Sequence, residues 1–251
     1  MARIDRLYRY PVKGLSAEPL SEVRLVPGGT FPMDRAYAIE NGPSGFDPAA
    51  PRHFAKINFL MLMRNERLAG LATRFDDATA TLTIHRDGTE LAEGRLDQPE
   101  GRRAIEAFFA DFAKDDLRGP PKVLSAPGHA FSDSDVKCVS LINLATLREI
   151  AGTIGKPVHP LRFRGNIYVE DLPAWAEFDW VGKPVRAGSV VFEAFTRINR
   201  CAATNVNPDT AERDLAIPRS LLDAYGHPDC GIFLSVMSGG EMKVGDPVSQ
   251  G

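Results

Sequence analysis

Arg200-Cys201-Ala202-Ala203-Thr204-Asn205-Val206-Asn207-Pro208-Asp209-Thr210 follows an apolar, strand-like run from Val190 to Ile198 and opens a turn rich in Asn, Pro, Asp and Thr. A thiol held where a rigid strand becomes a loop is placed to meet a ligand. The adjacent arginine favours the thiolate form, which binds metals and attacks electrophiles. The plainer reading is a small buried hydrophobe that happens to be cysteine.

Far upstream of this stretch, the first half reads as short strands broken by turns. Ile4, Leu7 and Tyr8 lead into Tyr10-Pro11-Val12-Lys13-Gly14. Leu20, Val23, Leu25 and Val26 suggest a second strand, Arg35 to Ile39 a third, and Thr79 to His85 a fourth. Such a series suggests a barrel or sandwich. Pro43 to Pro51 reads as a mobile loop. Over residues 102–113 the period changes, and Ile105, Phe108, Phe109 and Phe112 form one face of an amphipathic helix. Asp115 to Pro127, with Gly119-Pro120-Pro121, reads as a connector between two domains, 1–115 and 116–251.

The second half mixes types. Asn143 caps a helix carrying Leu144, Leu147 and Ile150 and stopping at Gly152. Asn166 to Glu170 is a strand, and Val185 to Ile198 is one long strand or a hairpin broken at Gly188. Pro218 and Gly226 bracket a short helix. Gly231 to Met237 and Glu241 to Val248 read as a hairpin around Gly239-Gly240.

Composition narrows the function. The 251 residues carry a formal net charge of −3, which gives no support for nucleic-acid binding but allows a local basic pocket. No apolar run is long enough to span a bilayer, and the start, Met-Ala-Arg-Ile-Asp-Arg, lacks the apolar core of a signal peptide. Cys138, Cys201 and Cys230 are scattered and form no Cys-x-x-Cys pair. That argues against a disulfide framework, a zinc site or a cysteine-ligated iron–sulfur cluster, and favours a reducing cytoplasm. Cys138 reads as a core thiol and Cys230 as structural. The five histidines show no ligand spacing.

Several motifs taken in order carry a resemblance. Tyr10-Pro11-Val12-Lys13-Gly14 and Met33-Asp34-Arg35 precede Phe163-Arg164-Gly165-Asn166-Ile167, the Arg200-Cys201 stretch and Lys243-Val244-Gly245-Asp246-Pro247-Val248. Nearly the whole chain resembles the MOSC superfamily, named for the C-terminal domain of molybdenum-cofactor sulfurases. It is similar to the two-part members that include the mitochondrial amidoxime-reducing component. The resemblance implies an α+β, β-rich fold: an N-terminal β-barrel domain packed on a mixed β-barrel MOSC domain with a few short helices.

The resemblance also implies a site. In this family the cysteine of the Arg-Cys motif ligates molybdenum in a pterin cofactor, or carries sulfur, so Cys201 becomes the metal ligand. A molybdopterin brings a phosphate and a hydrogen-bonding pterin, and Lys13, Arg35, Arg164 and Arg200 lie in the matching motifs. Asn166 can both donate and accept at a pterin edge. Ser134 aligns loosely with a cofactor-contacting hydroxyl. Each has an ordinary reading as well. Lys13 and Arg164 could be solvated charges, and Arg35 could pair with Asp34 or Glu40. Asn166 could satisfy backbone at a strand start, and Ser134 could be a turn serine.

Two departures stand out. Gly14 and Ala202 occupy positions where relatives carry a polar residue and a serine, which removes hydroxyls near the expected cofactor. The implied activity is two-electron reduction of N-hydroxylated or N-oxide small molecules. The chain carries no iron–sulfur domain after Val248, so electrons are expected from a separate flavin or iron–sulfur protein. The alternatives are a sulfur carrier or transferase and a non-catalytic molybdenum-cofactor carrier. In the first of these, a pyridoxal-phosphate cysteine desulfurase would load a persulfide on Cys201, and this chain itself would hold no pyridoxal phosphate.

Overall fold

The computed structural model describes all 251 residues. Its centre is an eight-stranded sheet. From one edge the order is Val248–Gln250, Pro184–Ala187, Val190–Asn199, Asp229–Ser238, Val139–Asn143, Ile167–Glu170, Arg3–Arg9 and Glu18–Leu20. Neighbours are antiparallel except Val139–Asn143 beside Ile167–Glu170. The sheet curls back on itself: Ile4 N–H donates to the Asp246 carbonyl at 2.9 Å, and Val248 N–H to the Ala2 carbonyl at 2.8 Å. These bonds bring the C-terminal edge to the opening strand, which leaves less edge exposed.

Alternation decides which faces fill the curl. Val190, Phe192 and Ala194 are buried while Glu193 points to solvent. The strand Val139–Asn143 is buried throughout because both of its faces are covered. Val139 and Leu141 enter the main core with Ile4, Leu7, Ile167, Ile232 and Leu234. Ile142 faces the other way, toward Leu147, Ile150, Ile217 and Leu221 from two short helices. These are α2 (Leu144–Ile154) and α3 (Ile217–Tyr225); α1, the third, is Pro99–Phe112.

A second core lies under the meander Ala72–Asp76, Thr81–Arg86, Thr89–Arg95. Helix α1 covers it with Ile105 and Phe109, which are wholly buried. Along the chain, a cut between residues 115 and 116 separates a first part from a second. In space the opening strand crosses it, because Ala2, Ile4, Leu7, Val23 and Leu25 belong to the core built mostly from residues after 138.

Some local expectations shift. Asn143 caps α2 as the sequence suggests, its Oδ1 accepting from Ala145 N–H at 3.0 Å. The helix runs through exposed Gly152 and stops at Gly155, whose φ of +70° supplies the left-handed turn. The expected hairpin around Gly239-Gly240 does not form. Gly240–Lys243 pairs instead with Glu22–Leu25, and Asp229–Ser238 pairs with Val190–Asn199 and Val139–Asn143. Only glycine lets the chain cross between sheets here, since a Cβ on Gly239 would lie 2.6 Å from the Leu25 carbonyl. Arg35 is not in a strand. It sits in a turn before Ala38–Glu40, with φ of +52°. Pro43–Pro51 contains neither helix nor strand. No helix is long and apolar enough to cross a membrane.

Candidate cofactor-binding and active site

The long strand Val190–Asn199 changes register three times against Asp229–Ser238, the last time between Arg197 and Asn199. Such bulges bend a strand and re-aim the residues beyond them. Here those residues are Arg200 and Cys201. Cys201 keeps extended backbone and precedes a one-turn helix, Ala202–Asn205. Thr204 returns its N–H (3.1 Å) and its Oγ1 (2.9 Å) to the Cys201 carbonyl. The half-buried thiol lines a cavity of about 410 Å³. Small-molecule and cofactor sites have volumes of this order.

The cavity wall is cationic. Seven Lys or Arg side chains line it against two carboxylates, Asp34 and Asp133. In a chain of net charge −3, that concentration focuses a positive field on one concave surface.

Lys13 lies on its floor. Its Nζ donates to the Phe131 carbonyl at 2.9 Å and to Asp133 Oδ1 at 2.5 Å. The other Asp133 oxygen accepts from Lys56 Nζ at 3.3 Å, so one carboxylate bridges two ammonium groups. Burial pulls Lys13 below the usual lysine range, against the pull of Asp133. Burial pushes the Asp133 carboxyl up, but Lys13 and Lys56 outweigh it and hold it well below the ordinary range. Lys56 is lowered by burial and raised more by Asp133 and by the Cys201 sulfur. An ammonium group and the thiol therefore share the cavity lining.

The Asp133 side chain is 50% exposed, so solvent screens this bridge. Asp133→Asn is expected to cost about 1–2 kcal/mol at pH 7, less than the loss of a fully buried pair. A depressed carboxyl stabilises the fold fully above its unfolded pKa of about 4 and loses that contribution as pH falls toward its folded value. Urea melts of wild type and Asp133→Asn should thus differ at pH 7, and the gap should narrow steadily as pH falls below about 4. A gap that stays constant would contradict the bridge.

Arg35 and Arg164 line the cavity as well. Both adopt left-handed backbone, with φ of +52° and +51°. Non-glycine residues rarely do so, at a cost of about 1–3 kcal/mol each, and such strain clusters at functional sites. The two guanidinium groups pack on one ring, lying 4.4 and 4.2 Å from the Tyr10 centroid. Arg35 donates to Asp34 Oδ2 at 2.5 Å and to the Arg164 carbonyl at 2.9 Å. Arg164 Nη1 donates to the Leu15 carbonyl at 2.7 Å, while its Nη2 is buried with no protein partner. Burial lowers the Arg164 pKa to about 10, so it stays charged at neutral pH. A dehydrated guanidinium with an unused donor suits an anionic oxygen.

Arg200 is committed to backbone. Nε (2.8 Å) and Nη2 (2.5 Å) donate to the Cys230 carbonyl, and Nη1 to that of Phe163 at 2.9 Å. Asn166 Oδ1 accepts from Ser140 N–H (3.1 Å) and Oγ (2.8 Å), while Nδ2 donates to the Tyr8 carbonyl at 3.1 Å. Asn166 thereby ties three strands together and keeps one amide N–H unused.

Cys201, Lys13, Arg35, Arg164, Asn166 and Arg200 thus share one cavity. Ser134 lies outside its lining, in a turn where its Oγ accepts from Val136 N–H at 3.2 Å. The hydroxyl that this loop contributes is Ser132. Cys138 is buried as expected of a core thiol, and burial pushes its pKa up to about 11, yet it also lines the cavity.

Lys56, Asp133, Arg162 and Arg213 carry no sequence signal of their own. Arg162 Nη2 grips both oxygens of Asp214 at 2.7 and 2.8 Å, and its Nη1 donates to the Asn205 carbonyl at 2.9 Å. Arg213 bridges the Ala202 carbonyl (3.1 Å) to those of Leu62 (3.1 Å) and Met63 (2.9 Å). Two guanidinium groups therefore hold the turn that carries Cys201. No cluster of three or more His, Cys, Asp or Glu side chains is arranged to hold a metal ion.

Comparison with known proteins agrees with this architecture. The model of the MOSC N-terminal beta barrel domain matches residues 1–117, and that of the MOSC domain matches residues 128–249. The chain belongs to the MOSC family, in its two-part form. It is 31% identical to mitochondrial amidoxime reducing component 2 of Bos taurus over 128 residues, 46% of this chain and 38% of that protein. It is 26% identical to mitochondrial amidoxime-reducing component 1 of Homo sapiens over 137 residues, 50% of this chain and 40% of that protein. The matched region thus spans about two fifths of these relatives' length. Among solved structures, the YUAD protein from Bacillus subtilis aligns over 98% of this chain and 93% of its own, at 14% identity and a TM-score of 0.45. YiiM from Escherichia coli aligns over 45% of this chain and 53% of its own, at 17% identity and a TM-score of 0.35.

Proposed function

We propose that the chain is a molybdenum-cofactor-binding oxidoreductase that reduces N-hydroxylated or N-oxide small molecules, with Cys201 as the metal ligand. One observation carries this reading: a half-buried thiol and seven cationic side chains share a single cavity in a chain of net negative charge. The residues fit the group. The Cys201 thiolate is a soft donor. The unpartnered Arg164 Nη2 suits a phosphate oxygen, with Lys13 and Arg35 adding charge. Asn166 and Ser132 offer polar contacts to a pterin edge.

The cofactor, when bound, supplies a two-electron redox centre. The reaction balances as R–NH–OH plus two electrons and two protons giving R–NH2 and water. A separate electron-donor protein would supply the electrons. Lys56, an ammonium lining the same cavity as Cys201, would hold a proton for the hydroxyl that must leave as water. Asp133 positions that ammonium.

The test is turnover. Protein from a host that makes the cofactor should reduce benzamidoxime or benzohydroxamic acid when a reduced viologen supplies electrons. A protein loaded with cofactor but inert toward all N-hydroxylated and N-oxide compounds would leave the cofactor-carrier reading. A sulfur carrier is favoured by one feature, the presence of both Cys138 and Cys201 in the lining of one cavity. Sulfane sulfur on Cys201, seen by mass spectrometry of the isolated protein, would support that alternative.

A further inference from the structure

A second cavity of about 210 Å³ adjoins the first. Gly14, Leu62, Arg162, Arg164 and Ala203 line both. Away from that shared wall it is apolar, with Leu15, Leu68 and Leu71 on one side and Leu161, Val206 and Pro208 on the other. An aliphatic cavity of about 150 Å³ holds benzene, so this one has room for one aromatic ring or a branched alkyl group.

Its polar groups are nearly all donors. Two of the three buried side-chain atoms in the protein that lack a partner are Arg162 Nε and Arg164 Nη2. Arg162 is only 4% exposed. His159 Nδ1 accepts from Leu161 N–H at 3.2 Å, which leaves the ring proton on Nε2. Ser16 Oγ is engaged both ways, donating to the Leu71 carbonyl (2.7 Å) and accepting from Thr73 N–H (3.0 Å), while the Tyr10 hydroxyl donates to the Gly165 carbonyl at 3.2 Å and keeps its oxygen as an acceptor. The one carboxylate, Asp209, is exposed. A buried donor without a partner costs about 1–3 kcal/mol, and a ligand oxygen would remove that cost.

We infer that this second cavity is a substrate-specificity subsite. It takes the aryl or branched-alkyl body of the substrate, whose acceptor oxygen meets Arg162. It therefore favours hydroxamic acids and N-oxides over cationic N-hydroxyguanidines. The inference rests on the reductase reading for the reacting group, but its test needs no turnover.

Benzohydroxamic acid is the probe, titrated by saturation-transfer NMR against the full chain purified from a cofactor-making host. Ala69 and Ala17 line the second cavity and not the first. Ala69→Phe should fill it and weaken probe binding at least about tenfold, or about 1.4 kcal/mol, with molybdenum and pterin content unchanged. Ala17→Leu should act in the same direction, which covers a failure of either variant to fold. Phenyl-N-hydroxyguanidine should bind wild type at least about tenfold more weakly than the hydroxamic acid. Absence of probe binding to wild type would overturn the inference. So would equal binding by wild type and the filled variants, or equal binding of the cation. Loss of pterin in the filled variants would overturn it by giving the cavity to the cofactor. Probe binding by a protein that never holds molybdenum would instead overturn the reductase reading and leave the subsite standing.

Discussion

Cys201→Ser is expected to reduce turnover by at least about a hundredfold while leaving the fold intact. Serine is nearly isosteric, and Cys201 is only half-buried, so little packing is lost. The bonds that hold the turn use the Cys201 carbonyl and not its side chain. The change lies in the donor atom. An alcohol is a harder, far less acidic ligand than a thiol, so a soft-donor metal site loses its protein anchor. The check is the initial rate beside a thermal melt. A serine variant that melts with wild type but has lost its rate assigns Cys201 to the chemistry. Retained rate would remove it from the metal.

Arg162→Met should have the largest effect on stability. The buried guanidinium satisfies Asp214 and the Asn205 carbonyl at once. Methionine fills much of the volume but leaves those acceptors unpaired. Asp214 is 35% exposed, so water recovers part of the loss. A cost of about 3 kcal/mol remains, near the lower end for breaking a buried ion pair. For a chain of this size that lowers the melting temperature by about 6–12 °C. Because the same group braces the Cys201 turn, molybdenum retention should fall as well. A variant with an unchanged melting temperature would show that the Ala202–Asn205 turn is held by other contacts.

Legibility in the sequence follows locality. The strand Val190–Asn199 and helix α1 announce themselves through their own periodicity. The strand Thr89–Arg95 does not, because most of its side chains face solvent and show no apolar alternation. Its turn is readable: Asp87-Gly88, with φ of +51° and +79°, is the Asp-Gly signal of a tight hairpin. The Gly239-Gly240 pair invites a hairpin for the same local reason, but Gly240–Lys243 finds its partner at Glu22–Leu25, far away in the chain.

The site divides the same way. Cys201, Lys13, Arg35 and Arg164 stand in motifs, so residue type and order point to them. Lys56 is a lone lysine whose meaning comes from Asp133, 77 residues on. Arg162 depends on Asp214, 52 residues on. No sequence window contains either pair. The left-handed backbone of Arg35 and Arg164 is equally hidden, since no glycine marks it. Ser134 shows the reverse: a hydroxyl in the expected loop, with Ser132 taking the place at the cavity wall.

Whether the cationic cavity bearing Cys201 holds a molybdenum cofactor decides the rest. The quantity to measure is the molybdenum and pterin content of the wild-type protein, purified from a host that makes the cofactor and compared with a relative that loads there. Near-stoichiometric molybdenum with an equal amount of pterin is the expected outcome. Neither metal nor pterin in this chain, under conditions that load the relative, would rule out the cofactor site and the reductase with it.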